Sequence, residues 1–167
     1  MKNIVLLGFM GTGKTAIGRR LAQKFGMEFV DIDDLIQKDQ KKSIAKIFEE
    51  NGEPYFRDVE KRVIKEVSEK QGLVIGAGGG AVLFDENIKN LEKNGVLICL
   101  TATPDVILKR TKGLKHRPLL NVEDPKQRIE ELLQKRAPYY AKIKNQIDTS
   151  NLTQDQVVEE ISQLYKK

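Results

Sequence analysis

Short apolar runs alternate with amphipathic stretches along all 167 residues, the order expected when strands and helices follow one another. Ile4, Val5, Leu6 and Leu7 read as a strand buried on both faces. Ile17, Leu21 and Phe25, spaced four apart, mark the helix after it, and Gly26 stands where that helix should end. Residues 29–32 (FVDI) give a second strand. Ile44, Ile47 and Phe48 share one face of a short helix behind Ser43, closed by Asn51-Gly52. Pro54 suits the first turn of a longer helix that carries Phe56, Val59, Val63 and Val67 on one side. Residues 73–75 (LVI) form a strand running into the glycine-rich stretch 76–80. Ile88 and Leu91 predict another helix, residues 96–100 (VLICL) a strand, and Thr103-Pro104 the cap and first turn of the next helix. Periodicity fails from 111 to 124 and returns behind Asp124-Pro125 with Ile129, Leu132, Leu133 and Arg136. Residues 146–148 make a weaker strand, and Thr153 with Gln156 forms a capping box ahead of Val157, Val158, Ile161 and Leu164. The pattern predicts one α/β domain over residues 1–167: three layers, with a five-stranded, mostly parallel sheet covered by helices on both faces.

Composition narrows the function classes. At 40% hydrophobic and 32% charged residues, with a mean hydropathy of -0.44, the chain is too apolar for disorder and too polar for a membrane protein. Its longest apolar run, 96–100, falls far short of the ~18 residues that cross a bilayer. Lys2 and the apolar residues after it imitate a signal peptide, but no small-residue cleavage site follows, so secretion is not expected. The lone Cys99 excludes an internal disulfide and a cysteine-rich metal site, which points to the cytoplasm. The net charge of +5 is spread along the chain without interleaved aromatics, so neither nucleic acid nor a membrane is the expected partner. A monomer acting on a small anionic molecule is the expected form.

The chemistry starts directly after the first strand. Residues 8–15 read GFMGTGKT, matching G-x-x-x-x-G-K-[ST], the phosphate-binding P-loop. Its glycines let backbone N–H groups curl round phosphate oxygens, and the following helix adds its positive end. Lys14 can reach the β- and γ-phosphates, and Thr15 offers a hydroxyl to Mg²⁺. Many P-loop proteins place a metal-binding acid at the end of a further strand, but the strand at 73–75 ends in Gly76-Ala77-Gly78. Asp31 and Asp33 supply carboxylates instead, at the end of the second strand. In a parallel sheet that end faces the phosphate loop, and strand alternation would put both side chains on one side.

GFMGTGKT, FVDID, NGEPYFRDVE, GAGGGAV, RPLL and RAPYY follow one another in an order and at a spacing that resemble the shikimate kinase family, small P-loop kinases of the nucleoside-monophosphate-kinase type. The match covers essentially the whole chain, with Tyr139 standing where leucine is more usual. The resemblance implies phosphorylation of shikimate by ATP with Mg²⁺, at the 3-hydroxyl. It implies that Gly11, Thr12, Gly13, Lys14, Thr15 and Ala16 cradle ATP, that Thr15 and Asp31 serve Mg²⁺, and that Arg110 lies near the adenine. Asp33, Arg57, Gly78, Gly79, Gly80 and Arg136 would hold shikimate. Arg117 would be the arginine of a mobile lid at about 111–124, sharing the catalytic role with Lys14 and Asp33.

The residues themselves agree with that reading. A hydroxylated carboxylic acid needs guanidinium forks for its acid group and a carboxylate for its hydroxyls. Arg57 and Arg136 can supply the forks, and three consecutive glycines permit a close backbone approach to a ligand. Glu60 either orients Arg57 from three residues away or forms a surface pair with it. His116 reads as a lid residue and Cys99 as a buried strand residue, without chemistry. Two alternatives share these features: another small-molecule kinase, such as a gluconate kinase, and a non-catalytic sensor of shikimate and ATP.

Overall fold

Strands that are apolar at every position need cover on both faces, and the computed structural model, which describes residues 1–112 and 122–167, provides it. The elements run β1 (Asn3–Gly8), α1 (Lys14–Phe25), β2 (Glu28–Asp31), α2 (Ile32–Gln40), α3 (Ile44–Asn51), α4 (Glu53–Ser68), β3 (Leu73–Gly76), a 3-10 turn (Ala81–Leu83), α5 (Asp85–Asn94), β4 (Gly95–Thr101), α6 (Pro104–Thr111), α7 (Pro125–Tyr140), β5 (Asn145–Asp148) and α8 (Gln154–Lys166). The five strands form one sheet in the order β2-β3-β1-β4-β5, and every neighbouring pair is parallel. Ile4, Leu6, Val74, Ile98 and Leu100 pack with α1 and α8 on one face. Val5, Leu7, Ile75, Leu97 and Cys99 pack on the other with the apolar sides of α2 to α7. Strand alternation thus divides one continuous apolar run between two cores.

The ends of the elements follow local chemistry. Gly26 closes α1 in the left-handed conformation at φ 64°. Ser43, Thr103, Asp124 and Thr153 cap α3, α6, α7 and α8 with their side chains. The second strand departs from expectation. It stops at Asp31, and Ile32 opens α2, a helix that the sequence pattern does not reveal because Ile32, Leu35 and Ile36 mark little more than one turn. Asp31 is the reason for the stop: its Oδ1 accepts from the Asp33 N–H at 2.8 Å and the Asp34 N–H at 3.3 Å, a side-chain cap that turns the chain into a helix. Asp33 therefore belongs to a helical turn, and strand alternation does not set its direction. Most of the expected lid, residues 113–121 with Arg117 and His116, lies outside the described residues, while Thr111 ends α6. Among the described residues no helix is long and apolar enough to cross a membrane.

All five strands finish on one edge, so the connections after β1, β2 and β3 meet there. Gly8 is the tightest point of that edge. It pairs with Leu100 of β4, its φ is +132°, and a Cβ would overlap the Leu100 carbonyl oxygen, a backbone atom that cannot swing aside. Gly26 also has positive φ, yet a Cβ there would meet nothing within 4 Å. Gly26→Ala should therefore cost about 1 kcal/mol, a fall in Tm of about 2–4 °C for a chain of this size. Gly8→Ala should cost about 3 kcal/mol or more, with a Tm fall of at least ~6 °C. Equal falls in the two thermal melts would show that the contact with β4 is not what restricts position 8.

Candidate active site

A cavity of about 580 Å³ opens beyond the carboxyl edge of the sheet, within the size range of small-molecule sites. One side is the loop after β1. Five α-helices are capped by a side chain, and α4 and α5 carry acids in their first turns. Among the described α-helices, α1 alone has neither. Its first N–H groups and its positive end are left facing the cavity, which suits an anion. Lys14 Nζ donates to the carbonyls of Gly8 at 2.7 Å and Phe9 at 2.9 Å, so the loop's own backbone holds the ammonium at its mouth. Gly11, Gly13, Thr15 and Ala16 also line the cavity. Thr12 does not: it is buried, and its hydroxyl donates inward to the Phe9 carbonyl at 2.7 Å.

Thr15 Oγ1 lies 3.3 Å from Asp31 Oδ2. This hydroxyl and carboxylate are hard oxygen donors of the kind Mg²⁺ takes, with room for phosphate oxygens and water beside them. Among the described residues no group of three or more His, Cys, Asp or Glu side chains is placed to hold a metal without such help. Arg110 of α6 reaches across to the same loop. Its Nη1 donates to Gly11 O at 3.2 Å and Thr149 Oγ1 at 3.0 Å, and its Nη2 donates to Thr149 O at 3.1 Å. Thr149, just past β5, thereby ties the phosphate loop to the far strand. The sequence gives no signal for it, since a lone threonine after a weak strand resembles any other.

The opposite side is built from α4, α7 and the stretch after β3. Arg57 Nη1 and Glu60 Oε1 form an ion pair at 3.0 Å, and both side chains are buried, so a surface pair is ruled out. Arg136 is buried as well. Each arginine lies near an aromatic face, Arg57 over Phe56 at 5.1 Å and Arg136 over Phe9 at 5.4 Å, contacts that help hold a desolvated guanidinium. These groups crowd round the glycines. A Cβ on Gly78 would lie 3.2 Å from Glu60 Oε2 and 3.3 Å from Asp33 Oδ1, one on Gly79 would lie 3.0 Å from Arg136 Nη1, and one on Gly80 would overlap the Arg57 guanidinium. The three glycines leave room for these charged side chains, most tightly at Gly80. Phe48 and Phe56, with ring centroids 4.9 Å apart, add an apolar wall to the cavity. On sequence alone they are indistinguishable from core residues.

Two buried polar atoms in this group, Glu60 Oε2 and Arg136 Nη1, have no hydrogen-bond partner among the described residues, an arrangement a ligand with acidic and hydroxyl oxygens would satisfy. Burial pushes the Glu60 carboxyl from an ordinary 4.5 up to about 7. The Arg57 charge opposes that shift only in part, and the Asp33 carboxylate adds to it. Burial likewise pushes the Cys99 thiol up to about 11, against the pull of Lys14, which leaves it an inert thiol. Below pH 4.5 Glu60 is protonated in folded and unfolded chains alike. Between 4.5 and 7 only the folded chain keeps the proton, so rising pH favours unfolding through this group. The stability of the wild type relative to Glu60→Gln should therefore fall by on the order of 3 kcal/mol from pH 4.5 to pH 7.5. Denaturant unfolding at several pH values measures it, and a pH-independent difference would mean that Glu60 stays ionised in the fold.

The comparisons with known proteins cover this whole arrangement. A sequence model of the family described as shikimate kinase matches residues 10–166. A shikimate kinase from Thermodesulfovibrio yellowstonii is 51% identical over 167 residues, 100% of this chain and 96% of that protein. One from Caldanaerobacter subterraneus is 48% identical over 167 residues, with 100% and 98% covered. The structure of a shikimate kinase from Acinetobacter baumannii in complex with shikimate superposes with a TM-score of 0.95 at 37% identity, over 99% of this chain and 93% of that one. A gluconokinase from Sinorhizobium meliloti, at 15% identity and a TM-score of 0.65 over 99% and 94%, shares the fold alone. With half its residues identical to a shikimate kinase from end to end, and the family's model covering most of the phosphate loop, the glycine stretch and both buried arginines, this chain belongs to the shikimate kinase family.

Proposed function

We propose that this chain transfers the γ-phosphoryl group of ATP to the 3-hydroxyl of shikimate, releasing ADP and shikimate 3-phosphate. The observation that carries the reading is a single cavity that joins a phosphate-binding loop to two buried guanidinium groups and a carboxylate, Asp33. The open end of α1 and Lys14 take the triphosphate, and Arg110 takes the nucleotide beside the Thr149 turn. Thr15 and Asp31 would hold Mg²⁺, which when bound would neutralise negative charge on the triphosphate. Arg57 and Arg136 grip the carboxylate, and Phe48 and Phe56 cover the apolar edge of the ring. Asp33 orients the attacking hydroxyl and is placed to accept its proton. The hydroxyl oxygen bonds to the γ-phosphorus as the bridge to the β-phosphate breaks and its electrons leave with ADP. Such a reaction asks mainly for positioning and charge stabilisation. Arg117, outside the described residues, is included on resemblance alone. Action as a cytoplasmic monomer without nucleic acid or a membrane belongs to the same reading, supported by the lone Cys99 and by the scatter of the exposed large apolar residues among those described, Met1, Tyr55 and Val122.

ADP release assayed with shikimate, gluconate and nucleoside monophosphates should show turnover with shikimate only. Tight shikimate binding without ADP release would favour the sensor, and turnover of gluconate the other kinase. Arg136→Ala should weaken shikimate by about ten-fold to over a hundred-fold, the loss expected for one charge-assisted contact of about 1.5–3 kcal/mol. The wild type should prefer shikimate strongly to its neutral carboxamide, and the variant should lose much of that preference. If kcat/KM ratios show that it discriminates as well as the wild type, Arg136 does not touch the carboxylate.

A further inference from the structure

Tyr140 is not among the residues that line the cavity, yet it is buried directly behind them. Its hydroxyl donates to the Gly79 carbonyl at 2.7 Å, and burial pushes the phenol up to about 12, against the charge and hydrogen bonding of Arg136 beside it. The group therefore remains a neutral donor throughout the working pH range. Arg136 stands four residues earlier on α7, on the same helix face. Both side chains converge on one point: a Cβ on Gly79 would lie 3.0 Å from Arg136 Nη1 and 3.3 Å from Tyr140 Oη. The other end of Tyr140 is fixed too, because Gln146 Nε2 on β5 donates to its backbone carbonyl at 2.6 Å and to that of Ile143 at 3.0 Å.

The hydroxyl acts through a peptide plane. No cis peptide is present among the described residues, and in a trans peptide the carbonyl and the next N–H point in opposite directions. Pulling the Gly79 carbonyl toward α7 therefore turns the Gly80 N–H away from α7. Among the described residues that N–H donates to no backbone acceptor, and Gly80 lines the cavity. Without the hydroxyl, the Gly79 carbonyl would lose its partner and the plane would be free to rotate between glycines, the residues that resist rotation least.

We propose that Tyr140 is a positioning residue for the acceptor: through the Gly79 carbonyl it fixes the Gly79–Gly80 peptide so that the Gly80 N–H, on the side away from α7, stands ready for an oxygen of the acceptor. The inference rests on the proposed shikimate reading. Tyr140→Phe should raise the KM and Kd for shikimate about ten-fold, the scale of one hydrogen bond lost with its acceptor left unpaired. The KM for ATP should stay within about two-fold of wild type, because the phosphate loop is untouched. Tyr139→Phe, one residue away, should move neither constant. A merely structural role would lower Tm and the active fraction, and hence the apparent kcat, with both KM values unchanged. That result, or equal rises in both KM values, would overturn the proposal. Shikimate Kd by calorimetry on the folded variant keeps the test decisive if turnover is low. A wild type that does not turn over shikimate would instead overturn the functional reading itself, together with the inference built on it.

Discussion

Three ionisable side chains buried together, Arg57, Glu60 and Arg136, are the constraint to which the acceptor side of the cavity conforms. Removing a charge from water costs several kcal/mol even after relaxation, and only good partners offset it. Arg57 has Glu60 as a partner and each arginine has an aromatic face, while burial holds the Glu60 proton up to about pH 7, so that Glu60 balances the Arg57 charge only above that pH. Arg136 keeps Nη1 without a partner among the described residues. Folding has thus already desolvated the groups that a carboxylate would meet. An acid arriving there loses its own water but does not have to strip water from the arginines, which is the sense in which such a site is preorganised. The run of glycines suits the same packing, since a side chain at positions 78, 79 and 80 would crowd these groups, most severely Arg57 at position 80.

The nucleotide side reaches a comparable state by a different route. There the groups are the backbone N–H donors at the start of α1, which neither a side-chain cap nor an acid covers, and the lysine beside them is held by two loop carbonyls. Charge is concentrated by backbone geometry on one side and by buried side chains on the other. The parallel sheet lets the two meet, because it delivers the ends of β1, β2 and β3 to one edge. Gly8 shows what the meeting demands of the fold: the loop must leave β1 hard against β4, where no side chain fits.

The sequence made legible those features whose causes are local. Strands buried on both faces show as unbroken apolar runs, and caps such as Ser43, Thr103, Asp124 and Thr153 announce the helices they start. The phosphate loop is legible because its chemistry requires fixed spacing. Elements with a tertiary cause were not. α2 is short and mostly polar, and it exists because Asp31 caps it and Ile32 and Ile36 find a core already built. Arg57 and Glu60 look the same in sequence whether exposed or buried. Thr12, inside the motif, turns away from the cavity, since a hydroxyl on a tight loop finds the nearest carbonyl first. Thr149 and Tyr140 gain their roles from partners more than thirty residues away in the chain, which no local pattern reports.

Asp31 joins the two sides. Its Oδ2 faces Thr15 across the phosphate loop, and its Oδ1 holds the first N–H groups of α2. One carboxylate is thus both a candidate metal ligand and a helix cap, and the two roles use different oxygens. The cap is what ends β2 and starts the turn that carries Asp33 toward Gly78 and Glu60. The direction of the carboxylate proposed to orient the acceptor hydroxyl is therefore set by the residue proposed to serve the metal on the triphosphate. Spacing of D-x-D on a strand would place two carboxylates side by side and leave them equivalent. Spacing of D-x-D across a strand-to-helix turn separates them, one toward each substrate, and makes the position of the second depend on the hydrogen bonds of the first.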